Sequence, residues 1–385
     1  MKSIVASPGR LNYVANIRHV AIISVVVLHC LLAVPGPNAL INIALVQALK
    51  FGTISFFVIG GYLFGRQNPH DSETYLRRRL TTLLSPWAFW AVVYLLFSLM
   101  RDASFEGVPV VHPPAPAYLL AKARWLLFET GYWFVPNFFV TQCLVTILWR
   151  KKQPLWLLAA AFLFSTIYAL NIYTNWTSLP NHSEALLGFL PFMLLGVLAA
   201  KNAQKVEEVA RKTSWWIVGV LCAGPFLAGV LEGWFLHVHE GLDLGASMNT
   251  LRLSNQLYSL AVLFGLYKLF LTRPRWKLDG RQLTYGVHLV HQPILEAVAI
   301  LPFSYYFANY TLVYTFASHW MPGVVAHLLT WGVFSGTTYA ASTMLATLIA
   351  RSHWSGLIGI RTRQVPRQAI TARLESEAGP APAQH

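Results

Sequence analysis

Apolar stretches of about 20 residues recur along this chain of 385 residues, and they constrain its fold more than any other feature. Such a stretch is long enough to cross the hydrocarbon core of a bilayer as an α-helix. Charged residues make up only 11% of the chain, against roughly 25% in a typical soluble domain. The composition excludes a water-soluble globule, a disordered chain and a coiled coil. It predicts an all-α polytopic integral membrane protein.

Hydropathy divides the chain into about ten predicted transmembrane helices. They cover residues 17–35, 51–65, 82–100, 131–149, 155–173, 184–200, 214–236, 255–272, 283–301 and 323–350. We expect residues 40–50, just before the second span, to form an interfacial helix. The predicted organisation is a cytoplasmic N-terminus at 1–16, a ten-span membrane domain at 17–350 and a disordered cytoplasmic tail at 351–385. No segment between the spans is long enough to bury a core of its own.

The basic residues indicate how these spans are oriented. They lie in short runs between apolar stretches, a pattern that signals membrane topology and not a nucleic-acid surface, despite the formal charge of +14. Of the 29 lysines and arginines, 24 fall on one side of the predicted spans. The other side holds Lys50, Arg101, Lys122, Arg124 and Arg252. Because cytoplasmic loops are enriched in lysine and arginine, the basic side is predicted to be cytoplasmic, with both termini inside.

Two ionisable residues lie within the first apolar stretch, Arg18 and His29. A charged side chain at the centre of a membrane helix costs about 2.5–3.5 kcal/mol, so such residues suggest a function. Eleven residues of α-helix rotate the two side chains only about 20° apart and separate them by about 16 Å. The spacing suits a guanidinium that binds phosphate at the cytoplasmic mouth and an imidazole near mid-membrane. The alternative is a snorkelling arginine and a histidine that packs against a neighbouring helix.

The ninth predicted span carries a second group of candidates. His288 and His291 are three residues apart and share one helix face, and Tyr285 precedes them. No HExxH motif or carboxylate trio accompanies them, so we expect no metal site. Phosphate-binding glycine motifs and a GxSxG nucleophile are also absent from the sequence. A histidine that acts directly as a base is the simplest hypothesis.

Six short segments, in order, complete the pattern. They are the Arg-x10-His pair Arg18 and His29, FFVIGGY within 51–66, RLTTLLSP from Arg79, YWF with Trp133 and Phe134, LPFMLLG ending at Gly196, and YGVHLVH ending at His291. Together they resemble the acyltransferase-3 family of membrane O-acyltransferases, in the form without an SGNH domain. Three positions depart from the family pattern. Gly60 stands where a serine is usual, Thr82 where a second arginine is frequent, and His288 where a tyrosine is usual.

The resemblance implies an O-acyltransferase that uses cytoplasmic acyl-CoA, with acetyl-CoA as the expected donor. The implied acceptor is a hydroxyl of a sugar in a cell-surface or lipid-linked glycan, and the implied location is the bacterial inner membrane. By this resemblance, Arg18, Arg77, Arg78 and Arg79 would hold the CoA phosphates. His29 would deprotonate the acceptor hydroxyl or relay a proton, and His291 would orient the thioester or stabilise developing charge.

Two other classes of protein remain alternatives. A secondary transporter or exporter of a small polar solute would carry inverted repeats and broken spans in matching halves, and the sequence displays neither. A non-catalytic scaffold or receptor would leave Arg18 and His29 without a role.

Overall fold

The structure, a computed structural model, describes residues 12–33, 38–67, 71–105, 116–149, 155–174, 183–273, 283–300 and 322–360, with the single residues 36, 69, 176 and 318. All regular secondary structure within these ranges is helical, which confirms the all-α fold class.

The described part of the chain forms fifteen α-helices. They are α1 (Asn12–Ala33), α2 (Ala39–Leu49), α3 (Phe51–Gln67), α4 (Ser72–Arg79), α5 (Ser85–Phe105), α6 (Pro116–Phe128), α7 (Phe134–Trp149), α8 (Leu155–Thr174), α9 (Leu190–Lys201), α10 (Ala203–Lys212), α11 (Trp215–Val238), α12 (Leu244–Ser247), α13 (Leu253–Thr272), α14 (Thr284–Ile300) and α15 (Gly323–Arg351). A π-helical segment, Leu80–Leu84, joins α4 to α5. Short 3₁₀ turns lie at Gly131–Trp133, Leu186–Phe189 and Ser355–Ile358.

Each of the ten predicted spans overlaps one of these helices. Seven helical segments in the described ranges are long and apolar enough to cross a membrane, and the pair α9–α10, bent by 91°, forms an eighth candidate. The remaining two predicted spans correspond to α13 and α14, and α14 has only 17 residues. The total of ten and the cytoplasmic position of the termini therefore stay predictions.

The most buried of these candidate spans is α1. About 67% of its most apolar window is buried within the protein, against 17% for α11. It contacts α3, α13, α14 and α15, so its side chains face other helices on several sides. Peripheral helices such as α11 instead expose large apolar side chains, as expected for surfaces that face lipid. The helix that carries Arg18 and His29 therefore lies at the centre of the helix bundle.

Helices α3 and α9 pack with their backbones in direct contact. A Cβ atom on Gly61 would lie 1.9 Å from the carbonyl oxygen of Met193, and one on Gly196 would lie 2.0 Å from that of Val58. Only glycine leaves room for such an approach, and small residues are the usual means of close helix contact in membranes. The two glycines identified in the sequence motifs therefore hold α3 in place.

Two predicted boundaries need correction. Helix α1 begins at Asn12, inside the segment 1–16 that was predicted to precede the membrane domain. The segment 351–360, predicted as the start of a disordered tail, is folded. Trp90 Nε1 donates a 2.9 Å hydrogen bond to the carbonyl of Leu357, and Ile358 is buried beneath α14 and α15. Residues 361–385 lie outside the described residues.

Candidate active site

Two histidines from distant parts of the chain meet at the centre of the bundle. His29 of α1 and His291 of α14 are joined by a 2.8 Å hydrogen bond between Nδ1 and Nε2, and their rings stack with centroids 5.0 Å apart. His291 is fully buried, and its Nδ1 lies 2.6 Å from the carbonyl oxygen of His288. The structure thus brings together the two histidines that were predicted as catalytic.

These hydrogen bonds determine where the protons lie on the neutral pair. A carbonyl oxygen can only accept, so His291 Nδ1 must carry a hydrogen, which leaves its Nε2 as an acceptor. His29 must then donate from Nδ1, and its own lone pair resides on Nε2. The arrangement leaves His29 Nε2 as the basic nitrogen of the pair.

A tight turn beside the histidines is built by the segment Thr130–Trp133. Thr130 caps the 3₁₀ turn by accepting from the backbone N–H of Tyr132 at 3.2 Å. Gly131 lies directly against the imidazole, because an added Cβ would come within 2.9 Å of His29 Cε1 and 3.0 Å of the Gln292 amide. The absence of a side chain at Gly131 therefore gives His29 its space.

The same turn supports α14 at a point where the helix has lost a backbone hydrogen bond. Pro293 has no N–H, so it cannot bond to the carbonyl of Leu289 four residues earlier. The hydroxyl of the buried Tyr132 donates to that carbonyl at 2.7 Å. Tyr132 therefore replaces the missing donor two residues from His291.

On the side predicted to be cytoplasmic, Arg18 and Arg79 line one cavity of about 140 Å³. Arg18 Nη2 donates to Thr284 Oγ1 of α14 at 2.7 Å, and Arg79 Nε donates to the hydroxyl of Tyr75 at 3.1 Å. Neither guanidinium forms an ion pair with a carboxylate among the described residues. Two arginines without a counter-ion make this cavity suitable for an anionic group.

The other two predicted phosphate ligands lie elsewhere. Arg77 is exposed and lines a surface groove between α4 and α7, and the exposed Arg78 lines none of the cavities described here. The four arginines therefore do not form one cluster. The turn of α4 places Arg79 alone beside Arg18.

Three cavities form a series that meets at the histidines. The cavity lined by Arg18 and Arg79 reaches His288, and a central cavity of about 30 Å³ is lined by both His288 and His29. A third cavity of about 640 Å³, called the outer cavity because it lies on the side predicted to be external, begins at His29. The central cavity shares Phe134 with the first and Trp133 with the last. Arg18 and His29 each line a cavity of this series, as expected if both side chains face inward.

The outer cavity is lined by both polar and apolar side chains, and three of its charged residues, Arg124, Glu184 and Glu296, are in ion pairs. Glu296 accepts from the hydroxyl of Tyr94 and lies 3.0 Å from Arg101, and Glu184 lies 3.5 Å from Arg124. The bonds of Glu296 fix α14 against α5, five residues beyond His291. Trp133, an aromatic candidate from the sequence motifs, is buried between this cavity and Phe189, with which its ring stacks.

One of the three departures from the family pattern has a steric explanation. The ring of Phe138 occupies the space beside Gly60, where an added Cβ would lie 2.5 Å from Cζ, so a serine would not fit without movement. The side chain of His288 lines the central cavity and the cavity of Arg18 and Arg79. Its ring packs against that of Phe134, with the ring centroids 5.2 Å apart. Thr82 donates to the carbonyl of Arg78 at 2.9 Å, a local bond that does not explain the loss of an arginine.

Sequence reasoning missed several residues of the site, among them Thr53, Gly131, Thr284 and Gln292. A helical spacing of seven from His291 could have pointed to Thr284, which shares its face of α14. The other three residues could not be identified from the sequence, because an isolated threonine, glycine or glutamine is common in apolar helices. In the described ranges, no group of three or more histidine, cysteine or acidic side chains is placed to hold a metal ion.

Comparison with known proteins identifies the family of the chain. No curated protein and no solved structure matches the chain, whereas the family model described as an acyltransferase domain matches residues 11–346 of the 385. The match covers α1 to most of α15 and includes both histidines and the two clustered arginines. The chain therefore belongs to the acyltransferase-3 family, and it is a membrane acyltransferase.

Proposed function

We propose that this protein transfers an acetyl group from cytoplasmic acetyl-CoA to a hydroxyl of a sugar in a cell-surface or lipid-linked glycan. The bacterial inner membrane is the proposed location, since acyl-CoA is available on one face and glycan on the other. The observation that carries the proposal is the series of cavities, which extends from Arg18 and Arg79, two arginines with no carboxylate partner among the described residues, past His288 and His29 to the outer cavity.

The donor would enter from the side of Arg18 and Arg79, which would bind its phosphates. A bound phosphate supplies the counter-charge that these arginines lack among the described residues. The thioester would then lie in the narrow part of the path, close to His288 and His29. The acceptor sugar would occupy the outer cavity, where Trp133 offers an aromatic surface.

The reaction follows from the position of the basic nitrogen. Nε2 of His29 removes the proton from the acceptor hydroxyl as its oxygen attacks the thioester carbonyl. The carbon–sulfur bond then breaks, and the proton passes from His29 to the departing CoA thiolate. The products are an acetyl ester and free CoA, and His29 returns to its neutral form.

His291 has a different task in this proposal from the one expected from the sequence. It lines none of the three cavities and bonds only to His29 and to the backbone among the contacts above. It is therefore a positioning residue, which fixes the tautomer of His29 and stabilises the imidazolium that forms when His29 accepts a proton.

The size of the central cavity favours a short acyl group. Its volume is about 30 Å³, against about 140 Å³ and about 640 Å³ for the cavities on either side of it. An acetyl group needs only a small expansion of this space, whereas a long acyl chain would require the helices to separate. This supports acetyl-CoA as the donor.

The test uses purified protein in lipid nanodiscs with [¹⁴C]acetyl-CoA and a glycan extract from the source cells. We expect label in the glycan as an alkali-labile ester, with release of one CoA thiol per ester. A transporter would instead accumulate unmodified solute in sealed vesicles. Absence of a labelled ester with every glycan fraction would contradict the proposal.

A further inference from the structure

Lys50 is a buried lysine that the reaction outlined above does not use. It lies between α2 and α3, with 5% of its surface exposed, and it lines the outer cavity. Its described hydrogen bond is a long one, 3.4 Å from Nζ to Thr250 Oγ1. An ammonium group has three N–H donors, so most of its bonding capacity is unused by the described residues.

The carboxylates of the same cavity do not compensate this charge. Glu184 and Glu296 are bonded to arginines, Asp243 caps α12 by accepting from the N–H of Ala246 at 2.9 Å, and Glu129 is exposed. Lys50 forms no ion pair with any described carboxylate. Two cationic side chains line this cavity, Lys50 and Arg124. Of these, Lys50 is the one that is buried and that forms no ion pair within the described ranges.

A second buried cation increases the positive potential around Lys50. Arg252 is fully buried beneath the cavity, where it donates to the carbonyl of Gly229 at 3.0 Å and to Gln47 Oε1 at 2.7 Å. Both of these acceptors are neutral. Glu232, which lies near Arg252, is bonded to the hydroxyls of Tyr173 and Ser254 and forms no ion pair with Arg252 or Lys50 among the described residues.

Lys50 is also well placed relative to the reacting groups. Thr53, three residues further along the chain, lines both the outer cavity and the central cavity that contains His29. Three residues of helix span about 4.5 Å. Lys50 therefore lies about one turn further out than Thr53 and the central cavity that Thr53 lines.

A buried ammonium without a counter-ion is costly, and a protein lowers that cost when a bound ligand supplies the charge. We propose that Lys50 binds an anionic group of the acceptor, and that the acceptor therefore carries a carboxylate or phosphate close to the hydroxyl that is acylated. This deepens the function proposed above and rests on it.

The first test identifies the acceptor class with the wild-type protein. A glycan extract from the source cells is divided by anion exchange into neutral and acidic pools, and each is incubated with [¹⁴C]acetyl-CoA and the protein in nanodiscs. We expect label in the acidic pool alone. Reduction of the carboxyl groups to alcohols should abolish labelling if the anion is a carboxylate, and removal of phosphate should abolish it if the anion is a phosphoryl group.

Two outcomes separate this inference from the proposed function. Equal labelling of the neutral pool, or full labelling of the acidic pool after both treatments, would overturn the role of Lys50 while O-acetylation stands. Failure to label either pool would contradict the proposed function itself, and the inference with it.

The second test uses Lys50→Met, which preserves the shape of the side chain and removes its charge. We expect the acceptor KM to rise about tenfold or more, as for the loss of a charged hydrogen bond, with the donor KM unchanged. Thermal stability should not fall, because an unpaired buried charge is replaced by an apolar group. Lys50→Arg should restore most of the acceptor affinity.

The matched control is Lys212→Met on α10, which removes a positive charge outside the three cavities. Lys212 is 75% exposed and already paired with Glu208, so its loss should change the acceptor KM by less than about twofold. An equal effect of both substitutions would mean that Lys50 acts only through the net charge of the protein, and would overturn the proposal. A fall in kcat with an unchanged acceptor KM in Lys50→Met would also overturn the proposal.

Discussion

The two ring nitrogens of His29 have separate tasks. Nδ1 is held by His291, and Nε2 is the basic nitrogen of a side chain that lines both the central and the outer cavity. His29→Ala should lower kcat by about 10²–10⁴-fold, the usual contribution of a positioned base, with normal amounts of inserted protein. Acetyl transfer in nanodiscs measures this effect.

His291→Ala should lower kcat less than His29→Ala, because the base remains but its tautomer is no longer fixed. The donor KM should stay constant and the acidic limb of the kcat–pH profile should move, which a simple packing defect would not cause. Full activity of His29→Ala would exclude the base, and an unaltered pH profile in His291→Ala would exclude the positioning role.

Arg18 and Arg79 share a cavity, whereas Arg77 lies outside it. Arg18→Gln and Arg79→Gln should each raise the KM for acetyl-CoA by about tenfold or more and leave the acceptor KM unchanged. Arg77→Gln should have a smaller effect. Initial rates at varied donor concentration measure the difference, and Lys212→Gln on the surface of α10 serves as the charge control. Equal effects of all three arginines would argue for a phosphate site spread along α4.

At the scale of elements, the shape of α14 depends on Tyr132 as well as on its own sequence. Tyr132→Phe leaves the carbonyl of Leu289 without the tyrosine donor, beside a proline that cannot supply one. A buried unsatisfied carbonyl costs about 1–3 kcal/mol, so we expect a lower melting temperature and a lower kcat.

A double-mutant cycle tests that explanation. Pro293→Ala restores a backbone N–H to α14, which can bond to Leu289 in the usual helical pattern. Tyr132→Phe should then cost less in the Pro293→Ala background than in the wild type. Additive losses would contradict the replacement of one donor by the other.

The contact between α3 and α9 is a second property of elements. Gly196→Ala would insert a methyl group 2.0 Å from the carbonyl oxygen of Val58, and overpacking of this kind costs about 1–3 kcal/mol. We expect a lower melting temperature in detergent. Gly219→Ala is the matched control, because an added Cβ on the exposed α11 has no atom within 4 Å. Equal melting temperatures of the two variants would show that α3 and α9 can separate at little cost.

For the whole molecule, the distribution of basic residues predicts which face is cytoplasmic. In a background without Cys30, Cys143 and Cys222, a cysteine in place of Arg78 should react with a membrane-impermeant maleimide only from the cytoplasmic side. A cysteine in place of Arg124 should react only from the outside. Both positions are exposed, so access is set by topology. Labelling of both from the same side would refute the predicted orientation.

The sequence by itself determined the features that depend on local periodicity and transfer energy. Apolar length gave the helices that correspond to all ten predicted spans, and the helical period placed Arg18 and His29 on one face of α1. Both follow from the geometry of a single helix and the cost of charge in lipid, so they need no knowledge of neighbours. The motifs in their order also led to the family.

Tertiary structure alone decided which side chains meet. His29 and His291 are 262 positions apart, and the bond between them depends on how α1 packs against α14. Tertiary packing also brings Arg79, and not Arg77, into the cavity that Arg18 lines, and it leaves Lys50 buried without a counter-ion among the described residues. A helical period fixes the face on which a side chain lies, but only the packing of helices fixes what that face contacts.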